Sequence, residues 1–155
     1  MPSKWSALCL LVVVPCTTGC RMLFPVRPVE LPPPAVDVTD SGVVVEDVAS
    51  GDGPAVERGA RVRLHYTGWT AAGERFDSTH DRGRPVVFTV GTGAVVRGWD
   101  DGMVGMRAGG VRRLTIPSEL AYGAGGLPGR IPPTADITLE LELLAILDRD
   151  APDEE

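Results

Sequence analysis

Cysteine is absent from this chain after Cys20, and histidine occurs only as His65 and His80. Beyond Cys20 this excludes a disulfide framework and a Cys-based metal site, and two histidines are too few for a His-rich metal centre. Lysine is almost missing as well: Lys4 stands alone, and the remaining positive charges are arginines scattered among acids. With a net charge of -6, bulk electrostatics argue against nucleic acid and anionic lipid as partners. Aromatic residues make up only 5% of the chain, so each one is worth placing. No apolar run reaches the roughly 20 residues of a bilayer-spanning helix. Gly91-Thr92-Gly93 opens a GxG pattern, but Val96 occupies the place of the third glycine of a dinucleotide loop. No serine sits in a nucleophile elbow, which argues against a Ser-His-acid triad.

What is present begins with a leader. Met1 to Lys4 carries one positive side chain, Leu8 to Val14 is apolar, and Pro15 breaks the run. Thr17-Thr18-Gly19-Cys20 follows and resembles a bacterial lipoprotein signal, with Thr17 where a leucine is usual. That resemblance implies cleavage after residue 19, lipid modification of Cys20, and a membrane-anchored protein of the bacterial cell envelope. An ordinary cleaved secretory signal, giving a soluble secreted or periplasmic protein, is the alternative. Residues 20–40, with Pro25, Pro28 and Pro32-Pro33-Pro34, read as an extended tether. Residues 148–155 are acidic and unpatterned, as in a solvated tail.

Residues 41–147 read as one domain, mostly strand. Val62, Leu64 and Tyr66 alternate with Arg61, Arg63 and His65, the pattern of a half-buried antiparallel strand. Ile137, Leu139, Leu141 and Leu143 repeat it; Val86, Phe88 and Val90, then Leu114 and Ile116, then Val43 to Val45 make further sets. His65 falls on a polar face and is expected to be solvated. Trp99, Met103 and Met106 share one face of a helix predicted over Arg97–Met106. Gly98, Gly102 and Gly105 each cost that helix about 1 kcal/mol relative to alanine, so it must be held by the sheet. The expected fold is α+β: a twisted antiparallel sheet of about five strands wrapped around one short helix. No dimerisation stripe stands out, so a monomer is expected.

Val95-Val96-Arg97-Gly98-Trp99 offers an aromatic plate, Ala121-Tyr122-Gly123 a hydroxyl, and Ile131-Pro132-Pro133 an apolar edge. This stretch carries no nucleophile and no phosphate cradle. Its chemistry must be non-covalent, and it suits an apolar ring such as proline.

With His65-Tyr66-Thr67-Gly68 and Phe76-Asp77-Ser78 added, these motifs resemble, in order and spacing, the FKBP-type peptidyl-prolyl isomerase domain over about Gly42 to Leu147. The resemblance implies isomerisation of X-Pro segments of exported polypeptides, with no cofactor, and rapamycin-like macrolides as candidate ligands. It places Trp99 under the proline ring and makes Tyr66, Phe76, Val95, Val96 and Ile131 apolar walls. Tyr122 would donate to one substrate carbonyl and the Val96 backbone N–H to another. Asp77 would be the pocket carboxylate, beside Tyr66 and Arg82. Val86 and Leu139 stand where aromatic residues are typical, and Leu127 and Arg130 fall in a variable loop. These departures predict a wider, less aromatic base, and they motivate a competing reading as a peptide-binding module with weak turnover.

Overall fold

A computed structural model describes residues 36–147. The leader, Cys20, most of the tether and the acidic tail lie outside the described residues. The described residues form seven strands, most of them marked by alternating apolar and polar side chains: β1 (Val36–Val38), β2 (Val44–Ala49), β3 (Arg61–Thr70), β4 (Arg75–Ser78), β5 (Val86–Thr89), β6 (Val111–Ile116) and β7 (Ile137–Leu147). They form one antiparallel sheet in the order β1-β2-β6-β7-β3-β4, with β5 also paired to β3. Two short helices, α1 (Thr79–Arg82) and α2 (Arg97–Met103), complete the described part with two 3₁₀ turns, Ser118–Leu120 and Gly123–Gly125.

The central pair is β3 with β7, in register from Arg61↔Leu147 to Thr70↔Ile137 with one shift between Arg63 and Leu64. Their inward side chains Val62, Leu64, Ile137, Leu139, Leu141 and Leu143 are at most 1% exposed. Burying each contributes about 1.5–3 kcal/mol, an upper figure because an unfolded chain already hides some apolar surface.

The other side of β3 is shared. Arg61 to Leu64 pair with β5, and Thr67 to Trp69 pair with β4. Between them His65 and Tyr66 meet no strand; α1 fills the gap.

The predicted helix is real but shorter than Arg97–Met106. It stops at Met103, and Val104 turns to an extended backbone. Met106 is still 2% exposed, because its carbonyl accepts from Val56 N–H at 2.8 Å and draws that loop over the core. Gly102 has a reason beyond flexibility: a Cβ there would lie 2.7 Å from Leu114 Cδ1. A side chain at that position would therefore have to displace Leu114 of β6.

The strands not foreseen are β1 and β4. Arg75–Ser78 has no apolar alternation to announce it. Val36–Val38 lies in the stretch read as tether, yet it pairs with Val44–Glu46. Beyond Pro34 the β-branched Val-Asp-Val can extend a sheet edge, and the turn that follows is closed by Val43 N–H donating to Thr39 Oγ1 at 3.0 Å.

Candidate active site

Trp99 is the centre. It projects from α2 and is 7% exposed. Its indole N–H donates to Met103 Sδ, one turn on, at 3.1 Å, which fixes the ring and uses its only donor. What remains for a ligand is an apolar surface. Tyr66 meets the ring edge-on at 4.8 Å between centroids, and Phe88 meets it at 5.7 Å and 84°. Such edge-to-face pairs add about 0.5–1.5 kcal/mol each beyond their burial. Phe88 belongs to the site, although alternation with Val86 and Val90 made it look like plain core.

Tyr66 ties this cluster to charge. Its hydroxyl donates to Asp77 Oδ2 at 2.5 Å and accepts from Arg82 Nη2 at 3.0 Å. Arg82 Nη1 donates to Asp77 Oδ1 at 2.8 Å, and the guanidinium lies 5.6 Å from the Tyr66 ring centroid. Burial alone would raise the Asp77 pKa, but hydrogen bonds from Tyr66 and Arg82 outweigh it and hold the carboxyl below its usual range. Burial, then the bond to Asp77, pushes the Tyr66 phenol up, so it stays a protonated donor. Asp77 is thus a hydrogen-bonded wall whose ionised form is favoured by Tyr66 and Arg82.

Thr79 positions this triad. Its side chain is fully buried, and Oγ1 accepts from Tyr66 N–H at 2.8 Å and donates to Tyr66 C=O at 3.2 Å. One hydroxyl thereby replaces the missing strand between β4 and β5. The same oxygen lies 2.9 Å from His65 Nδ1. His65 is not simply solvated, as its place on a polar face had suggested: it is half-buried and stacks on His80 at 4.5 Å and 19°. Among the described residues no group of His, Cys, Asp and Glu is placed to hold a metal.

The facing loop brings the polar donors. Tyr122 is 37% exposed, and its hydroxyl has no partner among the described residues. Burial of the rest of the ring, then the charge of Asp77, raises the phenol pKa, which places the two groups within electrostatic reach. Ile131, 3% exposed, is held by reciprocal backbone bonds with Leu127, each 2.8 Å. Val95 and Val96 are half-buried against the core. The Val96 C=O accepts from Trp99 N–H at 2.9 Å, while its own N–H donates to no group among the described residues. The preceding loop is pinned by Asp100, buried behind Trp99, whose carboxylate accepts from Gly91 N–H at 2.9 Å and Gly93 N–H at 3.2 Å.

An aromatic plate and a charged wall meet here through Tyr66. A family model, FKBP-type peptidyl-prolyl cis-trans isomerase, matches residues 53–144. An "FK506-binding protein" of Neisseria meningitidis serogroup B is 48% identical over 105 residues, 68% of this chain and 96% of that one. The chain belongs to the FKBP-type isomerase family. A "Peptidyl-prolyl cis-trans isomerase" of Schizosaccharomyces pombe is 43% identical over 111 residues, covering 71% of this chain and 99% of its own. The crystal structure of a peptidyl-prolyl cis-trans isomerase from Pseudomonas syringae pv. tomato superposes with a TM-score of 0.65 at 31% identity, over 73% of this chain and 81% of that one. The activity of this FKBP-type chain is therefore cis-trans isomerisation of X-Pro peptide bonds.

Within the FKBP-type site the two aliphatic departures differ in kind. Val86, on the same face of β5 as Phe88, is partly buried against the core and has room to touch a ligand. Leu139 does not: at 1% exposed it supports the site from beneath. Gly68 lets it do so, since a Cβ there would stand 2.9 Å from Phe76 Cε1 and 3.0 Å from Leu139 Cδ2. Phe76 is half-buried above it. Leu139 is thus packing rather than a wall, which narrows the expected loss of aromatic base to Val86. Open hollows of about 440 and 450 Å³ lie elsewhere, beside Arg58, Arg97 and Asp101 and beside Trp69 and Arg113.

Proposed function

We propose that this isomerase acts on X-Pro segments of exported polypeptides from a lipid anchor at Cys20 in the bacterial cell envelope. The observation behind its chemistry is the Trp99 ring, boxed edge-on by Tyr66 and Phe88. Amide resonance holds an X-Pro bond planar behind a barrier of about 18–20 kcal/mol. Uncatalysed rotation takes about 10–100 s. Resonance needs charge separation, which water stabilises. An apolar plate withdraws that stabilisation, and the twisted bond, with its ketone-like carbonyl, gains relative to either planar isomer. Tyr122 and Val96 hold the flanking carbonyls and so orient the twist. Each 1.36 kcal/mol of preference for the twisted form gives about tenfold in rate. Because no proton has to move, the charged state of Asp77 is compatible with this role.

A proteolysis-coupled assay on X-Pro peptides tests the reading. The wild type should accelerate isomerisation, and a Trp99→Ala, Tyr122→Phe double variant should lose at least about tenfold in kcat/KM. Equal rates would remove catalysis from this site. A second reading, a peptide-binding module with weak turnover, is favoured by the aliphatic Val86. Val86→Phe separates the two: a large rise in turnover at unchanged peptide affinity would support binding as the natural role. Leu139→Phe is unsuited to this test, because overpacking beside Gly68 would cost about 1–3 kcal/mol of stability. Rapamycin-like macrolides remain proposed ligands of the same site, and a monomer its proposed state.

A further inference from the structure

We propose that His65 is a positioning residue of this isomerase: its ring nitrogen decides which way the Thr79 hydroxyl points, and so how firmly Tyr66 is held. The proposal rests on the active-site reading above, in which Tyr66 boxes Trp99 and carries Asp77 and Arg82. Thr79 Oγ1 has one proton to give and room to accept two. Tyr66 N–H takes one accepting position at 2.8 Å. Tyr66 C=O at 3.2 Å and His65 Nδ1 at 2.9 Å contend for the rest. The single proton cannot serve both. When Nδ1 carries a proton it donates to Oγ1, and the hydroxyl donates to Tyr66 C=O. When Nδ1 is bare, the hydroxyl turns to it and Tyr66 C=O loses this bond. An imidazolium always has a proton on Nδ1, whereas a neutral ring has it on either nitrogen. Protonating His65 therefore locks the arrangement that serves both backbone groups of Tyr66.

His65 is half-buried, on the face of β3 opposite Leu64. His80 of α1 stacks on it at 4.5 Å and 19°, and Glu142 of β7 stands opposite it in register. His80 Nε2 lies 3.9 Å from Glu142 Oε2, both side chains being exposed. Along β3 the next charge is Arg63. Asp81 of α1 is bound to Arg75 of β4 at 3.1 Å, and Asp77 of β4 to Arg82. β5 carries no charge, and β6 meets Glu142 through Val111. Rings stacked this closely resist carrying two charges, so His80 competes with His65 for one proton. Imidazole is the side chain that ordinarily changes charge between about pH 5 and 8. Asp77 is held below the usual carboxylate range, and the Tyr66 and Tyr122 phenols are raised, so the site's own groups do not titrate in that window.

A neutral hydrogen bond at the modest end of its net worth corresponds to about two- to fivefold in rate. The test measures kcat/KM across the imidazole range, about pH 5.5 to 8.5. It uses NMR exchange on full-length protein with a capped X-Pro peptide that has no titrating group. Wild type should fall by that factor as pH rises. His65→Gln and His65→Phe should flatten the profile. His80→Gln should keep the fall and move its midpoint to higher pH, since a competitor for the proton is gone. Thr79→Ser should keep it as well, and Thr79→Val should abolish it. A flat wild-type profile, or one whose shape survives in both His65 variants, would overturn the proposal. Absence of acceleration at every pH would instead strike at the isomerase reading. The pH dependence of peptide binding, followed at the Trp99 indole resonance in wild type and His65→Gln, then decides the proposal by the same comparison.

Discussion

Thr79 carries more of the site than its size suggests. Its hydroxyl serves the N–H and the C=O of Tyr66, and Tyr66 in turn holds Asp77 and Arg82. Thr79→Val keeps the shape and removes the bonds. It leaves a buried backbone donor unanswered, at a cost of about 1–3 kcal/mol. We expect a lower melting temperature and a fall in kcat/KM larger than the stability loss explains, with Thr79→Ser restoring both. Thermal unfolding and the X-Pro assay on the three proteins check this; a Thr79→Val protein with wild-type turnover would leave Thr79 structural only. Residues of this kind were hidden in the sequence for a physical reason. Tyr66, Trp99 and Tyr122 were legible because each sits in a distinctive local motif. Thr79 acts through a gap between strands, which no local pattern records. Asp100 looks like a solvated acid beside Trp99 until the loop folds back onto it. Phe88 shares the two-residue period of any half-buried strand, and only the approach of α2 turns it into a neighbour of Trp99.

At the scale of elements, the glycines of α2 looked like a defect. In isolation Gly102 costs the helix about 1 kcal/mol relative to alanine. The sheet explains them: a methyl group at 102 would stand 2.7 Å from both Leu114 Cδ atoms. Packing and propensity oppose each other here, and their magnitudes decide. Overpacking costs about 1–3 kcal/mol and exceeds the helix gain. Gly102→Ala should therefore lower stability by up to about 2 kcal/mol, the difference of the two terms, despite its better helix propensity. Denaturant unfolding measures it; a stabilised variant would mean that α2 and β6 can part without penalty. The apolar alternation that exposed β3 and β7 is what made the fold class legible. β4 and α1 were not, since Arg75–Arg82 has no period, and its shape comes from the Tyr66–Asp77–Arg82 and Thr79 bonds. β1 was masked by the prolines before it, which end at Pro34 while the strand starts at Val36.

At the scale of the whole molecule, the domain and the anchor proposed at Cys20 make separate demands. The proposed catalytic surface lies on β3, β5, α2 and the Tyr122 loop, whereas Cys20 precedes β1 by a proline-rich stretch in the sequence. The full chain's net charge of -6 offers no general attraction to anionic headgroups. Membrane association of the full chain should then depend on the thiol alone. In cells fed a fatty-acid probe, the wild type should carry label and sediment with membranes. Cys20→Ala should lose the label and move to the soluble fraction, with kcat/KM on X-Pro tetrapeptides unchanged within about twofold, since twofold is about 0.4 kcal/mol of barrier. Equal labelling of the two proteins would remove the anchor from Cys20, and a variant that is unlabelled yet still sedimenting would place membrane affinity in the domain itself.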